Sequence, residues 1–181
     1  MRKKGDNLKD KSAFLFDILK RYDHYVATTN FKVGLIMSFL GVIIFGLIIR
    51  VLAISPEPKG CNYLYYATVL LSGLTVVFSM LSALNLLRAI FPSNKSKAGG
   101  ESLIFFGDVA AIDGGVSSYV KKIEDADLEG LVEDLSKQIY FVAEIINEKF
   151  RVLKVAVNIT SYLVIPLLAA SLLLILIEGI N

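Results

Sequence analysis

Apolar residues along this chain gather into three long blocks, and the polar stretches between them carry apolar positions at helical spacing. A membrane-crossing helix needs about 20 mostly apolar residues to span a hydrocarbon core of about 30 Å. Val33 to Ile54 meets that requirement with only Arg50 near one end, and Tyr63 to Phe91 exceeds it with Arg88 near its far end. Val155 to Ile177 forms the third block. Both arginines have stems long enough to lift the guanidinium toward lipid headgroups. Pro166 lies inside the third block and is expected to kink it, a defect that neighbouring helices absorb in a membrane.

Two polar stretches read as amphipathic helices that feed directly into spans. In residues 8–30, Leu8, Leu15, Ile18, Leu19, Tyr22, Tyr25 and Val26 recur at helical steps, with lysine, arginine and aspartate on the other face. From Asp127, a second stripe runs through Leu128, Leu131, Leu135, Ile139, Val142, Ile146, Phe150 and Leu153, with acids early and bases late. Neither glycine nor proline interrupts the sequence between Leu131 and Ile165. One helix of about 75 Å is therefore expected from residue 127 to the end of the third span. The two stripes are expected to pair as an antiparallel stalk. PSNKSKAGG reads as a linker, and ESLIFFGDVAAIDGGVSSYVKKIED as a short irregular piece packed on the stalk, with its glycines at turns.

The predicted fold class is an all-α membrane protein with three transmembrane helices and an antiparallel cytoplasmic helical stalk. It is read as a single domain over 1–181: cytoplasmic helix 1–32, spans 33–54, 63–91 and 155–177, and linker plus stalk helix 92–154. Composition agrees, since 55% of the residues are hydrophobic, above the roughly 45–50% of soluble chains. Charge sets the orientation. Residues 1–32 hold eight Lys and Arg and residues 92–154 another eight, whereas the loop between the first two spans has only Lys59 and the C-terminal tail none. The positive-inside rule then places the N-terminus and the long connecting segment in the cytoplasm, with SPEPKGC and the C-terminus outside. The apolar run starts too late and runs too long for a signal peptide, so the first span is expected to be its own anchor.

Catalytic chemistry is missing from the pattern. Cys61 is the sole cysteine, which excludes an intramolecular disulfide and a cysteine-based zinc site. His24 is the sole histidine and has no triad or metal set around it. GDVAAIDGG matches neither the P-loop nor the EF-hand. No enzyme activity, cofactor, metal or nucleic-acid partner is expected. Span two is more informative: Thr68, Ser72, Thr75, Ser79, Ser82 and Asn85 step by three or four and share one face. Gly34, Ser38 and Gly41 give span one a similar face. Such faces usually turn toward another helix, where backbones approach closely and hydroxyls find partners. Packing within a protomer is the first reading, and the lining of an oligomeric pore is the alternative.

Three places resemble the transmembrane effectors of bacterial Pycsar antiphage defence. They are TTNFKV leading into span one, FFGDVA at Phe105 to Ala110 followed by SSYVKKI, and EDLSKQIYFVAEIINEKFRVLKVAVNI from Glu133 through Ile159. The likeness covers nearly the whole chain in order. One departure is Asn30, where the family has an acid two places before the lysine matched by Lys32. The resemblance implies an inner-membrane effector, working as a homo-oligomer in the lipid bilayer, that responds to a cyclic nucleotide made after infection and compromises the membrane. A passive scaffold whose stalk binds a protein, and an effector gated by cyclic oligonucleotides, are the alternatives. With such a ligand in view, Lys32, Arg88, Lys121 and Lys122 are candidate phosphate contacts. Phe105 or Phe106 would stack on a base, and Asp108 belongs to the same motif; the alternative is that these cations face anionic lipid headgroups and the phenylalanines fill the stalk core.

Overall fold

The computed structural model of the chain describes residues 2–53, 63–90 and 102–180. Every regular element among them is helical: α1 (Arg2–Ala53), α2 (Tyr63–Ile90), α3 (Phe106–Ala110), α4 (Gly115–Asp125), α5 (Leu128–Ile159), a π-helical turn (Thr160–Val164) and α6 (Ile165–Ile180). Three of these stretches, within α1, α2 and α5–α6, are long and apolar enough to cross a membrane. The chain is an all-α membrane protein with three spans and a helical stalk. The SPEPKGC loop and the PSNKSKAGG linker lie outside the described residues.

Two expectations change. The FFGDVA…KKIED piece is not irregular but forms α3 and α4, separated by a turn in which Gly114 and Gly115 take φ of 88° and 65°. Only glycine enters that left-handed region without strain. The single helix expected from residue 127 is interrupted by the π turn just ahead of Pro166. Proline has no N–H, and its ring would press on the carbonyl four residues back. Here the Ile165 N–H reaches back five residues to the Thr160 carbonyl, so the wider turn takes up the irregularity upstream of the proline. At the other end of α5, Asp127 Oδ1 accepts the Gly130 N–H at 2.9 Å and caps the helix.

The chain divides into two compact units. The stalk unit comprises residues 1–28 and 93–147. In it Leu135, Ile139 and Ile146 of α5 are buried, and Leu15, Ile18, Leu19, Tyr22 and Val26 of α1 are half-buried. The membrane unit comprises residues 29–92 and 148–181. Its core joins Val33, Leu40, Ile43 and Leu47 of α1, Leu86 and Ala89 of α2, Leu153 and Ala156 of α5, Val164 of the π turn and Ile175 of α6. The outer faces carry exposed Val42, Phe45, Leu52, Leu70, Val77, Leu84 and Leu173, the composition that lipid accepts.

Hydrogen bonds fix helix directions inside the membrane unit. Ser82 of α2 reaches Thr160, while Thr75, one helical stretch earlier, reaches Ser171, so α2 runs antiparallel to α5–α6. Lys149 bonds both Asn30 and the Ile90 carbonyl. At that level α1 and α5 enter the unit in the same direction and α2 leaves it. Within the membrane unit, α2 is thus antiparallel to both of its neighbours.

Candidate functional site

The membrane unit is built around a polar seam. On α2, Thr68, Ser72, Thr75, Ser79 and Ser82 are at most 1% exposed, whereas Leu70, Leu74, Val77, Met80, Leu81 and Leu84 face outward. From Thr68 to Ser82 the inner face is polar and the outer face apolar, the pattern of a span that meets its partners through hydroxyls, with buried Leu86 and Ala89 adding apolar contact at its end. Ser82 Oγ lies 3.0 Å from the Ala156 carbonyl and 2.8 Å from Thr160 Oγ1, at the start of the π turn. Thr75 Oγ1 is 3.3 Å from Ser171 Oγ. Thr68 and Thr75 also donate to their own helix, to the Leu64 and Leu71 carbonyls. The hydroxyls of Ser72 and Ser79 are buried without a hydrogen-bond partner. Asn85, last in the sequence-derived stripe, is half-buried and turns back to the Leu81 carbonyl at 2.9 Å.

Span one behaves differently. Gly34 and Ser38 are exposed, Gly41 is half-buried, and a Cβ at either glycine would have no other atom within 4 Å. Ser38 Oγ donates to the Gly34 carbonyl of its own helix. Within the protomer, α1 packs through Val33, Leu40, Ile43 and Leu47, and its small-residue face is left open.

At one end of the bundle sits Lys149, 6% exposed. Its Nζ donates to Asn30 Oδ1 at 3.2 Å and to the Ile90 carbonyl at 3.5 Å. Lys149 precedes the third span, and burial pushes its ammonium below its ordinary pKa of 10.5. The negative end of the α2 dipole, at Ile90, favours the charged form in return. Neighbouring Glu148 is engaged elsewhere, accepting two bonds from Arg151.

In the stalk unit the FFGDVA segment is clamped from both sides. Ser102 Oγ donates to Asp134 Oδ2 at 3.1 Å and accepts from the Ile104 N–H, the Phe105 N–H and Gln138 Nε2. Asp134 also takes the Leu103 N–H, and Tyr119 OH donates to the Leu103 carbonyl. Asp108 Oδ2 receives the Ser102 N–H at 3.1 Å. Phe105 is half-buried and Phe106 is 71% exposed, with their ring centroids 4.8 Å apart.

The sequence-derived nucleotide contacts therefore fall into two groups. Phe105, Phe106, Asp108, Lys121 and Lys122 belong to the stalk unit, with Lys121 exposed and Lys122 half-buried. Lys32 and Arg88, both exposed, belong to the membrane unit. Sequence reasoning missed Ser102, Asp134, Gln138 and Lys149. A signal for two of them existed: the steps Leu131, Leu135, Gln138, Val142 and Ile146, Lys149, Leu153 keep the three-and-four spacing through a polar residue. The stripe passes inward through Lys149, and Phe150, expected on it, is 45% exposed.

Residues 14–177 match the family described as the PycTM Pycsar effector protein domain. A relative, Pycsar effector protein EcPycTM of Escherichia coli, is 26% identical over 155 residues, covering 83% of each chain. No solved structure matches the chain.

Proposed function

The chain belongs to the Pycsar effector protein family, and on that premise we propose that it answers a cyclic nucleotide signal and impairs the membrane that holds it. As a member of the family it is a membrane effector of antiphage defence. The observation that carries the finer reading is the inverted second span, whose polar face is buried against α5 and α6 through a few hydroxyl contacts and two unpartnered hydroxyls. Bonds of this kind average only about 0.6 kcal/mol in membrane bundles, so a bundle joined by them separates at modest cost. Parting it exposes polar atoms in the plane of the bilayer, where they admit water.

The nucleotide contact in this reading is the FFGDVA segment with α4, where exposed Phe106 offers a ring for stacking and Lys121 a cation for phosphate. Stacking of a base on an aromatic side chain is worth about 1–3 kcal/mol. Asp108 serves the segment itself, since its carboxylate already accepts the Ser102 N–H.

The test is the full chain reconstituted in dye-loaded vesicles and challenged with 3′,5′-cyclic mononucleotides and cyclic oligonucleotides. Leakage is expected with one member of the panel, and Phe106→Ala should weaken its binding about tenfold or more by titration calorimetry. Binding and leakage absent across the whole panel would sink the reading and favour a scaffold whose stalk binds protein.

A further inference from the structure

Lys149 is a buried ammonium whose two bonded partners among the described residues are both uncharged oxygens. Each partner comes from a different helix, so one side chain ties α1, α2 and α5 together. The position along the chain matters too. The chain passes between the stalk and membrane units three times, after Thr28, Pro92 and Asn147. Asn30, Ile90 and Lys149 each lie within three residues of one of those crossings in sequence. Any rearrangement of the stalk unit that reaches the spans along the backbone must arrive through these three segments.

The energetics suit a part that opens. The two contacts are long and both acceptors are uncharged, so they hold the ammonium in the closed bundle less firmly than an ion pair would. Parting the helices at this level replaces them with water, so the clasp can be released. A carboxylate at the exposed Asn30 position would hold it more firmly, because the ammonium would then meet an opposite charge.

We propose that Lys149 is the positioning residue of a three-helix clasp, through Asn30 and the Ile90 carbonyl, that holds the membrane unit closed, and that its release opens the polar seam. The consequence for leakage rests on the proposed function, whereas the clasp itself does not.

The experiment uses the full chain with Cys61→Ala and a reporter thiol at Ala89, which is 1% exposed and adjacent to Ile90. Labelling by a charged maleimide in lipid nanodiscs measures opening, and dye release from vesicles measures function. Lys149→Met keeps length and apolarity but loses the clasp, and should label about tenfold faster, the effect of losing a hydrogen bond to a charged group. Asn30→Asp should label several-fold more slowly, and should have no such effect when combined with Lys149→Met. Equal labelling in all variants overturns the clasp. Faster labelling of Lys149→Met without dye release keeps the clasp and overturns the membrane-impairing reading instead.

Discussion

A hydroxyl inside an apolar bundle stabilises it only when it finds an acceptor, and the seam of α2 contains both cases. Ser82 has two partners on α5 and the π turn, while Ser79, one turn earlier on the same face, has none. Ser82→Ala should therefore cost about 1–2 kcal/mol, two bonds at the strength found in membrane bundles. Ser79→Ala should be neutral or stabilising, because it removes a buried polar group that has no compensation. Titration of the purified protein with sodium dodecyl sulfate, followed by circular dichroism, measures both. A loss at Ser79 as large as that at Ser82 would show that the Ser79 hydroxyl is satisfied. The spacing of these residues is visible in the sequence, but which of them meet a partner depends on the register of α2 against α5–α6.

At the scale of elements, the two small-residue faces part company. The α2 face is consumed inside the protomer, and the Gly34–Ser38–Gly41 face of α1 is open. A Cβ at half-buried Gly41 has no atom within 4 Å outside its own helix, so the effect of Gly41→Leu on folding should stay within about 0.5 kcal/mol, as for surface changes generally. If that face joins protomers, the added volume separates two backbones and crosslinking in membranes should fall several-fold. Val77→Leu, on the exposed side of α2, serves as the control and should leave crosslinking unchanged. Wild-type crosslinking in Gly41→Leu would remove α1 from any contact between protomers. Val116, Tyr119, Val120 and Ile123 carry a helical period, and α4 forms there with the glycines confined to its N-terminal end.

For the whole molecule, orientation rests on the distribution of positive charge. Residues 1–32 and 92–154 hold eight Lys and Arg each, and anionic cytoplasmic lipid together with the insertion machinery retains such flanks inside. A reporter fused after Asn181 is expected to report a periplasmic location, and one inserted between Gly99 and Gly100 a cytoplasmic one. Both on the same side would eliminate one span.

The amino-acid sequence determined by itself that three helices cross a membrane, because the length and hydrophobicity of each block are local quantities that the bilayer reads segment by segment. It determined likewise that α2 has a polar face and that α1 and α5 are amphipathic before they become apolar. Tertiary structure alone decided which polar groups those faces bury together. Lys149 looks like one of several bases preceding a span, and only the meeting of α1, α2 and α5 turns it inward onto Asn30 and Ile90. Ser102 is one polar residue beside a glycine-rich linker until α5 brings Asp134 and Gln138 to it. Helical period is written in neighbouring residues, whereas a hydrogen bond between helices depends on register and rotation that no single segment encodes.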